Sequence, residues 1–353
     1  MSPRAFTVAG RAIGDGAPVF IVAEAGVNHN GDMSLARRLV EAAADAGADA
    51  VKFQTFSPDA LVSREAPKAT YQRESTGDGE SQRDMLARLE LTADQHAELQ
   101  QRCGKRGLVF FSAPFDERAA DALESLDVPL FKIPSGEITN LPLLRHISAK
   151  GRPVILSTGM STVDEVETAV AVIRDSGDPP LALLHCLSAY PAPAAEVNLR
   201  AMDVLRQRFS VPVGLSDHTL GIEVAVAAVA RGARIVEKHL TLDKTLPGPD
   251  HRASLDPAEF AALVSAIRSV ESALGDGEKR PMPSEMDTRR VARKSLVAAR
   301  AIRAGERLTA ELIRVKRPGT GIPPAELERA LGRAVKRALA ADQVIGWDDL
   351  AER

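Results

Sequence analysis

Short apolar runs alternate with amphipathic stretches of helical length over most of this chain. An uninterrupted apolar run, such as that from Pro18 to Ala23, predicts a strand buried on both faces, as strands of parallel sheets are. Nearly every run ends in a charged or hydroxylated residue, and this one ends at Glu24. The pattern repeats as eight strand–helix units, and their span of roughly 250 residues is close to the usual length of a (β/α)8 TIM barrel.

The polar strand ends favour the barrel over a doubly wound open sheet, which is the alternative α/β architecture. The carboxyl ends of all eight barrel strands surround one pocket, so polar residues there would face a ligand. The first strand–helix turn, from Glu24 to Gly31, also lacks a G-x-G-x-x-G pattern. A polar stretch from Ser57 to Asp84 interrupts the second unit, and its length predicts an insertion that covers the pocket like a lid.

The composition of the chain changes after the last predicted barrel helix. Polar and proline-containing sequence from Gly275 to Arg293 predicts a linker. We therefore divide the chain into a barrel domain (1–275), a linker (276–293) and a small C-terminal domain (294–353). So small a domain has a thin core, and docking against another surface would help to stabilise it.

Charge and cysteine content narrow the classes of partner. The formal net charge of −3 comes from 45 basic and 48 acidic side chains, without the long basic runs that predict a nucleic-acid or membrane surface. Cys103 and Cys186 are far apart, which argues against a disulfide framework and a zinc cluster. We see no signal peptide and no apolar run near the ~18 residues of a membrane-spanning helix. These features predict a cytoplasmic protein with small-molecule partners.

The candidate chemistry lies in the residues that follow the predicted strands. They are the carboxylates Glu24, Glu137 and Asp250, the lysines Lys52, Lys132 and Lys238, the serines Ser112, Ser135, Ser157 and Ser216, and the histidines His218 and His239. Lysines and serine hydroxyls together suit a phosphate and a carboxylate on one small substrate. Two imidazoles with a carboxylate suit Mn²⁺, Fe²⁺ or Zn²⁺. A metal beside a phosphorylated acid indicates carbon–carbon bond formation. A structural alternative for Lys238 is an ion pair with Glu137 or Glu237.

Seven motifs in this chain resemble, in order, those of the sialic acid synthases. They are Ala23–Gly31 (AEAGVNHNG), Val51–Gln54 (VKFQ), Phe131–Glu137 (FKIPSGE), Leu156–Met160 (LSTGM), Leu215–Thr219 (LSDHT), Glu237–His239 (EKH) and Pro247–His251 (PGPDH). The resemblance covers almost the whole chain. It implies a TIM barrel followed by a C-terminal antifreeze-like (SAF) domain of the β-clip type, and an N-acetylneuraminate synthase-type enzyme.

The resemblance also implies an activity and a set of site residues. The reaction would be a metal-dependent condensation of phosphoenolpyruvate with N-acetylmannosamine, or a related 2-acetamido aldose, to a nine-carbon 2-keto acid and phosphate. Mn²⁺ is the expected metal, with Mg²⁺ or Co²⁺ as alternatives, and His218 and His239 would bind it. Glu24 would be the acid/base group. Phosphoenolpyruvate would contact Lys52, Ser112, Lys132, Ser135, Ser157, Ser188, Ser216 and Lys238, and the sugar would contact Gln54, Glu137, Tyr190, Asp250 and Arg317.

In this family the antifreeze-like domain of one subunit covers the barrel of its partner. The resemblance therefore implies a domain-swapped homodimer, in which Arg317 of one subunit reaches the acyl group of the sugar in the other. An ordinary solvated arginine is the alternative for this residue.

Two questions stay open at the level of sequence. The Leu187–Tyr190 segment resembles the pseudaminic acid branch, whereas the segment from Pro247 to Ser254 resembles the N-acetylneuraminate and legionaminate branches. N-acetylmannosamine and the 2,4-diacetamido-2,4,6-trideoxy hexoses thus remain candidate sugars. A carbohydrate-binding protein with an inactive barrel is the non-enzymatic alternative, and the complete set of motif residues argues against it.

Overall fold

The computed structural model describes residues 5–77 and 79–352, which form two compact units, one reaching Gly275 and the other beginning at Asp276. The first unit opens with a short antiparallel hairpin of β1 (Phe6–Val8) and β2 (Arg11–Ile13). Eight parallel strands follow: β3 (Phe20–Gly26), β4 (Ala50–Thr55), β5 (Val109–Pro114), β6 (Phe131–Ile133), β7 (Val154–Ser157), β8 (Leu181–Cys186), β9 (Val213–Asp217) and β10 (Ile235–His239).

The eight parallel strands form the predicted TIM barrel. Their order in the sheet is β5-β4-β3-β10-β9-β8-β7-β6, so the first and last strands of the barrel are hydrogen-bonded neighbours. Strands β5 and β6 lie side by side and complete the ring. Each strand is therefore followed along the chain by a helix that returns over the outside of the sheet, which confirms the fold predicted from the alternation of apolar and amphipathic segments.

Eight helices cover the barrel, and three short ones lie in the insertion after β4. In chain order they are α1 (Met33–Asp45), the insertion helices α2 (Pro58–Leu61), α3 (Thr70–Thr76) and α4 (Gln82–Ala87), and then α5 (Ala93–Lys105), α6 (Glu117–Ser125), α7 (Leu141–Ser148), α8 (Val163–Asp175), α9 (Ala201–Phe209), α10 (Glu223–Ala230) and α11 (Pro257–Leu274). Three of the barrel helices begin with a capping box, at Thr92, Thr162 and Asp256. Reciprocal hydrogen bonds of this kind satisfy donors that have no partner within the helix.

Side chains on each strand alternate between the barrel interior and the helices outside. The interior core includes Phe20 and Val22 on β3 and Ile235 on β10, and Val8 and Ile13 of the hairpin pack with it at the amino-terminal end. A larger core between sheet and helices takes the residues of opposite parity. The same alternation decides which of the polar residues farther along each strand face the interior.

Side-chain hydrogen bonds connect the loops after the first and last barrel strands. The Asn28 amide donates to Leu240 O (2.9 Å) and Ser254 Oγ (2.8 Å). His251 Nε2 lies 3.1 Å from Asn30 Oδ1. These hydrogen bonds hold the loop after β3 against the loop after β10, at the carboxyl ends of the strands where the candidate residues lie.

The segment from Ser57 to Leu91, which we name the lid, contains helices α2 to α4. Buried Val27, Phe56, Met85, Leu86 and Leu89 form a small core of their own beneath it. Buried Lys68 donates to Thr76 Oγ1 (2.9 Å), to Gly77 O (3.0 Å) and to Glu80 Oε1 (3.1 Å). The lid is therefore an ordered substructure.

The second unit has a separate core. Strands β11 (Ser295–Ala298) and β12 (Ile313–Lys316) pair antiparallel, and two short helices, α12 (Met286–Ala292) and α13 (Leu327–Ala330), complete its regular structure together with 3₁₀ turns. Its buried core is Leu296, Ala298, Ile302, Leu308, Leu312, Ile313, Ile322, Ala330, Val335, Leu339, Ile345 and Leu350. Within residues 5–77 and 79–352, no helix is both long and apolar enough to cross a membrane.

Candidate active site

A cavity of about 480 Å³ opens at the carboxyl ends of the barrel strands. Most of the sequence-predicted site residues line it: Glu24, Lys52, Gln54, Lys132, Ser135, Glu137, Ser157, Ser188, Tyr190, Ser216, His218, His239 and Asp250. Because these side chains come from strand ends that are far apart in sequence, the barrel is what brings them together.

Ser112 and Lys238 do not line the cavity, contrary to the prediction that both bind phosphoenolpyruvate. Ser112 pairs in register with Phe53, which belongs to the outer core, and its Oγ lies 2.7 Å from Thr55 Oγ1. Lys238 lies between the inward-facing Glu237 and His239, so its side chain points to the outside of the sheet. Strand alternation thus removes both residues from the pocket.

Lys238 forms a buried ion pair, although with neither glutamate that the sequence suggested. Its Nζ lies 2.7 Å from Asp217 Oδ2 and also donates to Thr219 O at 2.5 Å. Asp217 Oδ1 accepts the Thr219 backbone N–H at 2.9 Å. Asp217 immediately precedes His218, and Lys238 immediately precedes His239, so the ion pair joins the two strands directly behind the two histidines.

The floor of the cavity is a cluster of alternating charges. The carboxylate of Glu237 lies 3.4 Å from Lys52 Nζ and 3.5 Å from Lys132 Nζ, and it accepts a 2.9 Å hydrogen bond from Ser216 Oγ. Burial alone would raise the pKa of Glu237, but Lys132 and Lys52 outweigh burial and lower it to about 2. Glu237 is therefore a fixed anion that holds both lysines in place. Burial would lower the pKa of Lys52, but Glu237 and Glu24 outweigh it and raise that pKa, whereas burial outweighs Glu237 at Lys132 and lowers its pKa.

Glu24 is the second carboxylate of the floor, and its pKa is shifted in the opposite direction to that of Glu237. Its Oε2 lies 3.1 Å from Lys52 Nζ, and its Oε1 accepts from Gln54 Nε2 at 3.1 Å. Burial raises the pKa of Glu24 to about 7, and the nearby Glu237 carboxylate adds to this, against the opposing charge of Lys52. A carboxyl group with this pKa can exchange a proton near neutral pH.

Beside Lys132, the serines converge around Gly159. Lys132 Nζ donates to Ser157 Oγ at 2.8 Å, and the Gly159 N–H donates to Ser135 Oγ at 2.9 Å. A Cβ at position 159 would collide with the hydroxyls of Ser135 and Ser188. The absence of a side chain there leaves a concave surface lined by an ammonium group and hydroxyls, which suits a phosphate or carboxylate group.

The two predicted metal ligands are adjacent. The rings of His218 and His239 have centroids 5.3 Å apart. His218 Nδ1 donates to Leu187 O at 2.9 Å, so Nε2 is the nitrogen of this ring that could bind a metal. Burial acts to lower the pKa of His218, but the Cys186 thiol and Leu187 O outweigh burial and raise it, so a metal at Nε2 would have to displace a proton. His239 Nδ1 is buried without a hydrogen-bond partner and lies 3.7 Å from Asp250 Oδ2.

These donors fit a divalent transition metal. Burial lowers the pKa of His239 well below its usual value, and the charge of His218 acts in the same direction, so the His239 imidazole is neutral, as metal ligation requires. Among the described residues, no group of three or more histidine, cysteine, aspartate or glutamate side chains is arranged around a common metal position. The fit is thus to a two-histidine site whose remaining ligands come from water or substrate.

Three further lining residues were missed by sequence reasoning. Glu237 lies two positions before His239 on the same strand, and alternation alone could have assigned it to the cavity. The same rule places Cys186, at the end of β8, in the lining. Tyr71, on lid helix α3, carried no such signal, because its position depends on how the lid folds.

The outer end of the cavity is largely apolar. The lid and its neighbours supply Val27, Leu61, Val62, Ala69, Met85, Leu86, Leu89 and Phe115, together with the polar side chains of Tyr71, Gln72 and Gln82. Among the described lining residues, the lysines and arginines are Lys52 and Lys132 alone, and both lie at the charged floor. The cavity therefore has an anion-binding inner end and an outer end without a basic side chain.

Arg317 lies in the second unit, where it directly follows β12 and is exposed. Its predicted contact with the sugar of a partner subunit therefore remains a prediction.

Comparison with known proteins agrees with this fold and identifies its family. A family model described as the NeuB family matches residues 39–279, and one for the SAF domain matches residues 293–351. N,N'-diacetyllegionaminic acid synthase of Legionella pneumophila is 46% identical, with 94% of each chain covered. Human N-acetylneuraminate-9-phosphate synthase is 38% identical, over 95% of this chain and 94% of the relative.

A solved structure gives the same result. The crystal structure of N-acetylneuraminic acid (sialic acid) synthetase from Leptospira borgpetersenii, in complex with citrate, superposes with a TM-score of 0.72 at 37% identity, over 81% of this chain and 95% of that one. The chain therefore belongs to the NeuB family of sialic acid synthase-type enzymes and carries a C-terminal SAF domain.

Proposed function

We propose that this enzyme condenses phosphoenolpyruvate with a 2-acetamido aldose and water, giving a nine-carbon 2-keto acid and inorganic phosphate. The new bond joins the methylene carbon of phosphoenolpyruvate to the aldehyde carbon. A water oxygen adds to C2 of phosphoenolpyruvate, and the bond from C2 to the phosphate ester oxygen breaks. The two protons of that water end on the former aldehyde oxygen and on phosphate.

The observation that carries this proposal is the pairing of two imidazoles with a lysine-lined anion seat in one cavity. Lys52 and Lys132, both paired with Glu237, would bind the phosphate and carboxylate of phosphoenolpyruvate together with Ser157. Ser135, Ser188 and Ser216 would complete the same seat. Orienting both substrates in one site removes much of the entropic barrier to their reaction.

We propose that His218 and His239 hold a divalent metal, with Mn²⁺ expected and Mg²⁺ or Co²⁺ as alternatives. Such an ion supplies Lewis-acid polarisation of the aldehyde oxygen. The unpartnered Nδ1 of His239 supports this assignment, and the hydrogen bond from His218 Nδ1 to Leu187 O leaves Nε2 of His218 as the nitrogen for the metal.

Glu24 would be the acid/base group of the reaction. Its pKa of about 7 lets the carboxyl group hold a proton in part of the molecules at neutral pH and release it in the rest. The contacts to Lys52 and Gln54 fix the direction of the carboxyl group. Gln54, Glu137, Tyr190 and Asp250 would contact the sugar from the wall of the cavity.

N-acetylmannosamine and a 2,4-diacetamido-2,4,6-trideoxy hexose are the candidate sugars, and two observations favour the second. The outer end formed by the lid is largely apolar and carries no lysine or arginine, which suits a methyl group at C6 better than a phosphate. The relatives named N,N'-diacetyllegionaminic acid synthase are 46% identical to this chain, against 37% and 38% for those named N-acetylneuraminate-9-phosphate synthase.

The experiment that tests the function is phosphate release from phosphoenolpyruvate by purified enzyme with Mn²⁺ added. We expect release only when a 2-acetamido aldose is present. Separate assays with N-acetylmannosamine and with each 2,4-diacetamido-2,4,6-trideoxy hexose identify the sugar, because the diacetamido stereoisomers give products of equal mass. A metal-loaded, folded enzyme that releases no phosphate with any of these sugars would overturn the proposal and support the carbohydrate-binding alternative.

We further propose that the active form is a domain-swapped homodimer in which Arg317 comes from the second subunit. Replacing Arg317 by alanine should raise the KM for the sugar at least about tenfold, the effect of losing a charged hydrogen bond, and leave the KM for phosphoenolpyruvate within about twofold. Equal changes in both KM values, or a monomeric active enzyme, would contradict this role.

A further inference from the structure

Tyr71 and Tyr190 are the two tyrosines of the chain, and they stack on each other at the cavity wall. Their ring centroids lie 4.9 Å apart. Tyr190 belongs to the barrel and also lies near the ring of His218, at a centroid distance of 4.1 Å. Tyr71 belongs to lid helix α3. The lid therefore contributes one ring to an aromatic cluster that includes a candidate metal ligand.

A second cavity of about 170 Å³ lies behind this pair. Tyr71, Tyr190 and Pro249 line both cavities and so form the partition between them. The remaining lining of the side cavity includes Glu74 and Arg252. A water molecule occupies about 30 Å³ in the liquid, so the side cavity has room for a substituent several non-hydrogen atoms in size.

The three partition residues are not equally able to move. Tyr190 is held against His218, and Pro249 is part of the barrel backbone between β10 and α11. Tyr71 is attached only through the lid. Burial, with the nearby Asp250 carboxylate, raises the pKa of Tyr71, so it presents a neutral ring. The length of the side chain at position 71 thus decides whether the two cavities are separate.

We propose that Tyr71 is a specificity-determining residue that limits the size of the acylamino substituent on the sugar. This inference rests on the proposed function, in which Tyr190 contacts the sugar. The stacked ring closes the space into which an acyl chain longer than acetyl would extend. Removing the ring opens the side cavity to that chain.

The test compares wild-type enzyme with Tyr71→Ala, Tyr71→Leu and Tyr71→Phe, and with Arg73→Ala as the matched control. Arg73 lies on the same helix, is exposed and lines neither cavity. Phosphate release is measured with N-acetyl, N-propanoyl and N-butanoyl forms of whichever acetamido aldose the wild type accepts. The readout is the ratio of kcat/KM for the butanoyl form to that for the acetyl form.

We expect this ratio to rise roughly tenfold in Tyr71→Ala, the effect of relieving a steric limit on one or two methylene groups, and less in Tyr71→Leu. Tyr71→Phe keeps the ring and should behave like the wild type, as should Arg73→Ala. An unchanged ratio in active Tyr71→Ala and Tyr71→Leu enzymes would overturn the proposal. Loss of activity on the acetyl sugar in both, with Tyr71→Phe active, would also overturn it, because the ring would then be needed for turnover. If the wild-type enzyme were inactive with every acetamido aldose, that result would instead contradict the proposed function.

Discussion

Ser157 and Ser112 follow apolar strand residues in the same way along the sequence, yet they face opposite sides of the barrel wall. Ser157 Oγ accepts from Lys132 inside the cavity, whereas Ser112 Oγ pairs with Thr55 on the helix side. We predict that Ser157→Ala raises the KM for phosphoenolpyruvate roughly tenfold, the effect of one hydrogen bond to a charged group. Steady-state kinetics with phosphoenolpyruvate as the varied substrate measures this change.

Ser112→Ala is the matched control for that prediction. It removes a hydroxyl of the same size from the same level of the barrel, and the KM should stay within about twofold of the wild type because the lost contact is outside the cavity. A tenfold effect of Ser112→Ala, or no effect of Ser157→Ala, would show that the cavity lining does not bind phosphoenolpyruvate as proposed.

At the level of single residues, the sequence predicted well which strand ends carry site residues. It predicted less well whether each of those side chains points into the barrel or out of it. Ser112 and Lys238 were assigned from their place at a strand end, although the period of two places their neighbours inside. Counting back from His239 along β10 would have excluded Lys238 and found Glu237. Strand β5 carries no other predicted site residue from which to count, so Ser112 could not have been excluded in this way. The position of Tyr71 could not be derived in this way, since it depends on lid packing.

At the scale of secondary-structure elements, the ion pair between Lys238 and Asp217 joins the ends of β9 and β10. Both side chains are fully buried. We predict that Lys238→Met lowers the free energy of unfolding by about 3–5 kcal/mol, since it leaves the Asp217 carboxylate buried without its partner. Asp217→Asn in the same background removes that charge and should restore about half of the loss or more. Urea unfolding of the two single variants and the double variant measures the coupling.

Additive losses in the double variant would contradict this interpretation of the ion pair. They would indicate that the hydrogen bond from Lys238 to Thr219 O, which the second substitution does not restore, carries most of the stabilisation.

The insertion after β4 shows a limit of sequence-based prediction at the scale of elements. Its polar composition predicted a lid, but the three short helices inside it are held by long-range contacts such as Lys68 with Glu80 and Met85 with the barrel-side Val27.

At the scale of the whole molecule, the barrel followed from the sequence because each local pattern agreed with it. The apolar runs predicted the strands, and the polar residues that end them predicted that all the strands meet at one end of a barrel. What the sequence did not show is how the ring is fastened where its first and last strands meet. There, His251 Nδ1 lies 2.7 Å from Thr241 Oγ1, and His251 Nε2 lies against Asn30 in the loop after β3.

This closure predicts a pH dependence of barrel stability. Burial lowers the pKa of His251 from 6.5 to about 4. Between these values the unfolded chain takes up a proton at His251 that the folded barrel does not, so the stabilisation is complete above about pH 6.5 and is lost as the pH falls towards 4. From pH 7.5 to pH 5 the wild type should therefore lose about 2 kcal/mol more than a His251→Gln variant, in which this group cannot titrate. Urea unfolding of both proteins at the two pH values gives the difference, in which the other titrating groups cancel. Parallel losses in the two proteins would mean that His251 is as readily protonated in the folded barrel as in the unfolded chain, and that the contact to Asn30 does not depend on a neutral imidazole.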